Sequence, residues 1–401
     1  MEEQDWDGRI RTLSMYSLYF HIPFCAHRCA YCDFNTYAGQ EDLIPAYVEA
    51  LCTEVQKVAA SAAQRLPVHT VFFGGGTPSL LPAAQYATLL RTVRDAFVIG
   101  AEAEISLEAN PGSLSLAELI DLHRLGFNRL SLGVQSTHPQ ELHMLERIHD
   151  YFDVIDGVRW ARQAGFGNLN LDLIYGLPEQ TLKRWQTSVN LVLGLHPEHL
   201  SLYALTVEHG TPFGRWAERG RLPMPDPDRA ADMYEWVEER LAGEGYQQYE
   251  ISNWAKSGYP CRHNLQYWRG EPYLGFGAGA HGYAAGVRYS NALRIKTYIE
   301  HCREEVERPF PLSPAAVDSH AIVPFMEMQE TMMTGLRLTR EGLGTDRFLK
   351  RFGVGLLDVF GKEVDELVGL GLLEWADSGE TLRLTKRGRQ VGNQVFLKFV
   401  D

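Results

Sequence analysis

The sequence contains no run of apolar residues long enough to cross a membrane and no excess of positive charge. A membrane-spanning helix needs about 20 predominantly apolar residues, and nucleic acids and anionic lipids attract basic proteins. The formal net charge is −13, so we expect neither a transmembrane segment nor a nucleic-acid partner. The acidic N-terminal sequence also lacks the apolar core of a secretory signal, and we therefore expect a cytoplasmic protein.

The sequence also lacks the second pair of closely spaced cysteines that structural zinc sites usually contain. Three of its 6 cysteines, Cys25, Cys29 and Cys32, lie within one short segment, and Phe34 follows them. The remaining cysteines are Cys52, Cys261 and Cys302. In a chain without an export signal, this clustering indicates metal binding rather than disulfide formation.

Three clustered thiols suit an iron–sulfur cluster. Each of the four irons in a [4Fe–4S] cubane needs an outer ligand, so three cysteines leave one iron open to a small chelating molecule. A zinc site completed by His21, His27 or one of the distant cysteines is the alternative that this spacing leaves open.

Short β-rich runs alternate with helical segments over residues 1–205, which predicts an α/β fold with a parallel sheet and helices outside it. The predicted strands are Tyr16–His21, Val68–Phe73, Glu104–Glu108, Arg129–Gly133, Leu169–Tyr175 and His199–Leu205. The predicted helices include Leu43–Ala60, Pro82–Phe97, Leu116–Leu125 and Leu182–Leu193. Six strand–helix units favour a partial (β/α)6 barrel over a closed eightfold one.

Unusual residues follow the carboxyl ends of the predicted strands, at the edge where parallel α/β folds build their sites. They are the cysteine segment from Cys25, then Gly74–Pro78, Glu108–Pro111, Gln135 and Gly176–Pro178. Turn chemistry alone explains any one of these segments, since Gly, Asn and Pro favour turns. Because five of them share one predicted edge, we expect a functional site there.

The rest of the chain predicts two further regions. Residues 206–325 are expected to be a more irregular region that flanks the barrel and ends in a proline-rich linker. Residues 326–401 predict helices followed by a hairpin of Gly371–Trp375 and Thr381–Leu384, which is typical of a small α+β winged-helix-like domain. Acidic and basic residues are balanced in this domain, so we expect no DNA-binding face.

The pattern Cys-x-x-x-Cys-x-x-Cys after a first strand resembles the signature of the radical S-adenosylmethionine (SAM) superfamily. The resemblance implies that SAM chelates the open iron through its amine and carboxylate, and that an electron from the cluster breaks its sulfonium bond. It also implies SAM contacts for a set of residues along the predicted edge. These are Tyr19, Tyr31, Gly75, Gly76, Thr77, Glu108, Gln135, Arg147, Asp172 and His281. Arg147 suits the SAM carboxylate, and the glycines permit close backbone approach.

A formal G-x-G-x-x-G match at Gly277–Gly282 does not predict a dinucleotide site. We expect no strand before it, and the residues after it do not have a helical pattern. This segment is interpreted as a close-packed loop near the barrel, which would bring His281 close to the adenine of SAM.

The segments YFHIPFC, GGGTPS, GVQS and DLIYGLPEQT, together with the C-terminal domain, resemble the oxygen-independent coproporphyrinogen III oxidase-like group over residues 16–395. This group has two branches, the HemN-type dehydrogenases, which are radical decarboxylases, and the HemW-type haem chaperones. Phe34 stands where the dehydrogenases carry a fourth cysteine, and a short segment precedes the first predicted strand. The resemblance therefore implies the chaperone branch, with the dehydrogenase as the enzymatic alternative.

The hexapeptide from His263 to Trp268 matches the motif HNxxYW of the chaperone branch, which implies haem contacts for His263, Asn264, Tyr267 and Trp268. Imidazole is a common axial ligand of haem iron, and aromatic rings pack on porphyrins. The alternatives are that His263 and Trp268 only pack a loop, or that Cys261 is the ligand.

The implied cofactors are a [4Fe–4S] cluster, SAM and haem, and the implied partners are recipient haemoproteins. A homodimer is one arrangement that the sequence leaves open. A regulatory winged-helix protein with a structural metal is a third functional alternative, which the acidic balance disfavours.

Overall fold

A computed structural model describes residues 15–400, which form two compact units. The first unit contains residues 15–169, Val207–Arg219 and Glu271–Ala321. The second unit contains Asn170–Thr206, Gly220–Gly270 and residues 322–400. The acidic segment 1–14, whose composition predicts no secretory signal, lies outside the described residues.

Every strand predicted over the first 205 residues is confirmed, although several are longer than predicted. The strands are β1 (Tyr16–Ile22), β2 (Phe24–Cys25), β3 (Tyr37–Ala38), β4 (Pro67–Gly75), β5 (Val98–Ala109), β6 (Arg129–Gln135), β7 (Leu169–Tyr175), β8 (His199–Ala204), β9 (Gln247–Glu250), β10 (Asn253–Ala255), β11 (Tyr273–Phe276), β12 (His281–Ala284), β13 (Val287–Asn291), β14 (Ala316–Ala321), β15 (Leu343–Gly344), β16 (Leu373–Ala376) and β17 (Thr381–Leu384).

The four predicted helices Leu43–Ala60, Pro82–Phe97, Leu116–Leu125 and Leu182–Leu193 are also confirmed, as α1, α2, α3 and α6. The helices are α1 (Ile44–Ser61), α2 (Ala83–Ala96), α3 (Leu116–Leu125), α4 (Pro139–Met144), α5 (Tyr151–Ala164), α6 (Leu182–Leu193), α7 (Pro212–Glu218), α8 (Pro227–Gly243), α9 (Arg262–Trp268), α10 (Ile295–Arg303), α11 (Pro324–Gly335), α12 (Thr345–Phe352), α13 (Leu356–Gly369), α14 (Lys386–Gln390) and α15 (Gly392–Leu397). Local sequence signals explain several ends. For example, Ser115 and Glu118 form a capping box at the start of α3, and Gly126 ends it in the left-handed conformation.

The first unit contains an open mixed sheet in the strand order β14-β13-β12-β11-β1-β4-β5-β6. The strands β11, β1, β4, β5 and β6 are parallel, whereas β12, β13 and β14 pair in antiparallel fashion. The buried rings of Phe20, Phe73 and Phe276 stack across β1, β4 and β11, with centroids 4.8 and 5.1 Å apart. This stack forms part of the core beneath the carboxyl ends of the parallel strands.

Residues 206–325 are more regular than the sequence indicates. They supply β11 to β14 in the first unit, and β9 and β10 in the second. The expectation that no strand precedes Gly277 was wrong, because β11 ends at Phe276, directly before it. The strand YLGF is short and has no alternating pattern, and its stability comes from parallel pairing with β1.

The second unit contains β7 and β8 as a parallel pair, with β10 and β9 added in antiparallel fashion. Its C-terminal part has the predicted hairpin, β16 and β17, and a third short strand, β15, that the sequence does not predict. Met332, Phe348, Phe360, Val364 and Val395 belong to the core that α11, α12, α13 and α15 form here, and all of them are buried. This part is therefore an α+β domain with its own core.

Candidate cluster and cofactor site

The cysteine segment begins where β1 ends. Cys25 ends β2, which pairs with β3, and a turn between Cys29 and Cys32 closes with a 3.2 Å hydrogen bond from the Cys32 amide to the Cys29 carbonyl. Cys25 is buried, and Cys29 and Cys32 are partly buried. None of the 6 cysteines is in a disulfide, and all lie in the described part of the chain.

The environment of the thiols combines burial with hydrogen-bond donors. Burial raises the pKa of Cys25 and of Cys32. The Thr77 hydroxyl opposes this shift at Cys25, and the Phe34 backbone opposes it at Cys32. Within residues 15–400, no three His, Cys, Asp or Glu side chains converge as ligands of a single ion would. Ligands of a cubane need no such convergence, because each thiolate binds a different iron.

Two polar side chains donate to the cysteine sulfurs. The Thr77 hydroxyl donates to Cys25 Sγ at 3.6 Å, and Nη1 of Arg147 donates to Cys29 Sγ at the same distance. The second guanidinium nitrogen of Arg147, Nη2, donates at 2.6 Å to the Gly133 carbonyl. The structure therefore brings Thr77 and Arg147, both predicted SAM contacts, directly against the cysteine sulfurs.

The glycine-rich segment after β4 lies against the cysteine segment. Gly75 has a φ of +110°, and a Cβ there would lie 2.6 Å from the imidazole of His21. A Cβ on Gly76 would lie 2.6 Å from the Phe24 carbonyl oxygen. The close backbone approach that glycine permits is thus made to residues 21–24 of the chain itself. A substitution such as Gly75→Val would disturb this packing, whether or not SAM is bound.

Tyr19, His21 and Glu108 connect these segments. Glu108 Oε2 accepts a 3.1 Å hydrogen bond from the Gly75 amide, and the Tyr19 hydroxyl lies 3.0 Å from His21 Nδ1. Burial lowers the pKa of His21, so its imidazole is neutral, and its Nε2 lies 2.9 Å from the Asn35 carbonyl. In that tautomer Nε2 donates to Asn35 and Nδ1 accepts from Tyr19. Burial, followed by the charge of Glu108, raises the pKa of Tyr19, which stays protonated.

The other predicted SAM contacts of the first unit surround this group. Gln135 ends β6 with a φ of +64°, and its amide and the Arg147 guanidinium both lie beside Gly133. The ring of Tyr31 packs edge-on against Phe213 at 6.4 Å. His281 begins β12 with an exposed side chain, close enough to His21 to lower its pKa.

Asp172 belongs to the second unit, where a chain of buried hydrogen bonds extends from it. Asn170 donates to Asp172 at 2.7 Å and accepts from His199 Nδ1 at 2.6 Å. His199 Nε2 accepts from the Tyr249 hydroxyl at 2.8 Å. That hydroxyl in turn accepts from the Cys261 amide at 3.3 Å, at the start of α9. The chain ties the Asp172 strand to the helix that carries the HNxxYW motif.

The motif itself forms α9. His263 is 1% exposed, and its Nε2 lies 2.9 Å from the Tyr267 hydroxyl, whereas Asn264 is partly buried. Trp268 lies under the guanidinium of Arg337, 4.4 Å from the ring centroid. The buried indole N–H of Trp268 has no hydrogen-bond partner among the described residues. Haem contact by His263, Asn264, Tyr267 and Trp268 stays a prediction.

Sequence reasoning missed Asn110 and gave His21 a role only as a possible zinc ligand. His21 comes two residues after Tyr19 in the same strand. Asn110 belongs to a segment that the sequence analysis placed on the site edge, yet its side chain was given no role. A polar side chain directly after a parallel strand is the signal that identifies it.

Comparison with known proteins identifies the family. Residues 19–192 match the model of the radical SAM superfamily, and residues 326–391 match the HemN C-terminal domain. A Bacillus subtilis protein named heme chaperone HemW is 40% identical over 387 residues, covering 96% of this chain and 99% of that one. The chain belongs to the HemW family. A mouse relative is 37% identical over 89% of this chain and 81% of its own, and it is named radical S-adenosyl methionine domain-containing protein 1, mitochondrial.

The fold of this HemW-family chain has a counterpart among solved structures. Escherichia coli coproporphyrinogen III oxidase (HemN), described as a radical SAM enzyme, superposes with a TM-score of 0.81 over 96% of this chain and 90% of its own, at 24% identity. At that identity the likeness concerns the fold alone. The predicted radical SAM fold, with α/β content and no closed barrel within the described residues, is therefore confirmed.

Proposed function

We propose that this HemW-family chain is a haem chaperone, which binds haem, a [4Fe–4S] cluster and SAM and delivers haem to recipient haemoproteins. The observation that carries the proposal is the 40% identity, over nearly the full length of both chains, to a protein named heme chaperone HemW. Phe34, in place of a fourth cysteine, supports the same branch.

The cysteine segment would hold the cluster. Cys25, Cys29 and Cys32 supply three thiolates, and the hydrogen bonds from Thr77 and Arg147 stabilise negative charge on two of the sulfurs. A cluster bound there supplies one electron at an iron that has no protein ligand. The donor set therefore suits a cluster with an open position.

SAM would lie beside the cluster, at the carboxyl ends of β4, β5 and β6. Glu108, Gln135 and Arg147 end or follow these strands and offer a carboxylate, an amide and a cation. These groups suit the ribose hydroxyls and the amine and carboxylate of SAM.

Haem would bind at α9. The imidazole of His263 would serve as the axial ligand after leaving the Tyr267 hydroxyl, and the indole N–H of Trp268 is a buried donor suited to a propionate.

We also propose a cytoplasmic location, supported by a thiol set without disulfides. No helix among the described residues is long and apolar enough to span a bilayer.

A haem titration of the purified chain, run beside a coproporphyrinogen III assay under reducing conditions with SAM, tests the proposal. We expect stoichiometric haem binding and no decarboxylated product. His263→Ala should weaken binding and alter the haem absorption spectrum, because an axial nitrogen is lost, whereas the exposed His320→Ala should leave both unchanged. Sustained decarboxylation without haem binding would identify the chain as a dehydrogenase and refute the chaperone assignment.

A further inference from the structure

Asn110 lies between the two side chains that donate to the cysteine sulfurs. It directly follows β5 and is partly buried. Its Nδ2 donates to Thr77 Oγ1 at 3.1 Å, and its Oδ1 accepts from Arg147 Nη2 at 2.6 Å. A continuous path of hydrogen bonds therefore joins Cys25, Thr77, Asn110, Arg147 and Cys29.

The chemistry of the partners fixes the direction of every hydrogen bond in this path. A guanidinium only donates, so the oxygen of the Asn110 amide must face Arg147 and its nitrogen must face Thr77. Because Thr77 Oγ1 accepts from Asn110, its own hydrogen is directed to Cys25 Sγ. The single amide of Asn110 thus orients a donor toward each of two sulfurs.

We propose that Asn110 is a positioning residue of the cluster, which aims the Thr77 and Arg147 donors at two of its three thiolates and thereby raises its reduction potential. The inference rests on the proposed cluster and not on haem binding. Hydrogen bonds to cluster sulfurs favour the reduced state, because added negative charge on the sulfurs is stabilised by nearby donors.

The side chain of Asn110 is not needed for the turn in which it lies. The turn hydrogen bonds run from the Ser113 amide and the Ser113 hydroxyl to the backbone carbonyl of Asn110, at 3.1 and 2.6 Å. Replacing the side chain leaves that carbonyl in place. A purely structural role in the turn therefore predicts no effect on the cluster.

The test is the midpoint potential of the reconstituted cluster in the full-length chain, measured anaerobically with dithionite as reductant and followed by absorption and EPR. In Asn110→Ala we expect the equilibrium constant for reduction to fall about tenfold, which is about 59 mV for one electron. Asn110→Asp should also lower the potential, because its carboxylate cannot donate to Thr77. In a Thr77→Val background the further effect of Asn110→Ala should shrink, since part of the path is already lost.

Asn128→Ala is the matched control. Asn128 directly precedes β6, at the amino end of that strand. Its side chain also makes two hydrogen bonds, accepting from the Ile105 amide and donating to the Ala103 carbonyl in the middle of β5, both at 2.8 Å. It should lower stability without moving the potential.

The outcomes separate this inference from the proposed function. A wild-type chain that assembles no iron–sulfur cluster refutes both. A cluster whose potential is the same in wild type, Asn110→Ala and Asn110→Asp overturns the role of Asn110 and leaves the chaperone proposal standing. If Asn110→Ala fails to assemble the cluster, Asn110→Asp, which keeps an acceptor for Arg147, is the deciding variant. A lowered potential in Asn110→Asp supports the role of Asn110, and an unchanged potential overturns it.

Discussion

At the scale of single residues, Glu54 is a buried carboxylate outside the candidate site that accepts hydrogen bonds from four different residues. It is completely buried in α1 and accepts from the Gly277 amide at 2.8 Å and from Asn291 at 2.7 Å. The hydroxyls of Tyr298 and Ser313 also donate to it. One carboxylate therefore holds together α1, the loop after β11 and the segments around α10 and Ser313.

Glu54→Gln should destabilise the chain by about 1–3 kcal/mol, because the amide nitrogen would face groups that donate. Burial raises the pKa of Glu54 above its ordinary value of 4.5, so the folded state binds a proton that the unfolded state has released. The stability that this group contributes is therefore complete below pH 4.5 and is lost as pH rises through the folded pKa.

Urea unfolding of wild type and Glu54→Gln at several pH values checks this prediction. We expect the difference in unfolding free energy to narrow as pH rises. Glu49→Gln, an exposed position in the same helix, should have little effect at any pH. A difference that widens with pH would mean that the ionised carboxylate is the form that the fold prefers.

The cysteines give a second prediction at the residue scale. Cys25→Ala should reduce iron after anaerobic reconstitution from about four per chain to near zero, because two thiolates leave a second iron without a protein ligand. Cys52→Ala is the control, since Cys52 lies in α1, outside the cysteine segment. Equal iron in both variants, or zinc in place of iron, would refute the cluster assignment.

At the scale of elements, Tyr249 links the strands of the second unit to α9. Its hydroxyl donates to His199 in β8 and accepts from the Cys261 amide that precedes the helix. Tyr249→Phe removes both interactions while keeping the ring. We expect a loss of about 1–3 kcal/mol in unfolding free energy.

Thermal and urea unfolding measure this loss, with Tyr259→Phe as the control because that side chain is exposed. If α9 carries the haem site, Tyr249→Phe should also weaken haem binding, since the start of the helix loses an anchor. If Tyr249→Phe has the same unfolding midpoint as the control variant, the hydrogen bonds of the Tyr249 hydroxyl contribute nothing to stability.

At the scale of the whole molecule, charge sets the expected partners. The net charge of −13 opposes association with polyanions. We expect the full chain to leave duplex DNA unshifted in a gel-mobility assay near physiological salt, despite its winged-helix-like C-terminal part. A salt-sensitive shift at micromolar protein would contradict this prediction and would point to a local basic surface.

Local patterns predicted much of the architecture from the sequence. The strands β1, β4 to β8, and the helices between them, follow from apolar runs that end in turn residues, because such signals act over a few residues. Because these signals are local, they did not predict β11. Its four residues, YLGF, carry no alternation, and only pairing with β1 and the stack of Phe276 on Phe20 makes them a strand.

The sequence by itself determined the donor chemistry, since three thiols in one short segment and a phenylalanine in place of a fourth are visible without coordinates. It did not determine which side chains support those thiols. Asn110 meets Arg147 across 37 residues of chain and Glu54 meets Asn291 across 237, so no local pattern encodes either contact. Only the tertiary structure decides such partnerships, because a hydrogen bond depends on the final position of both groups and not on their separation in sequence.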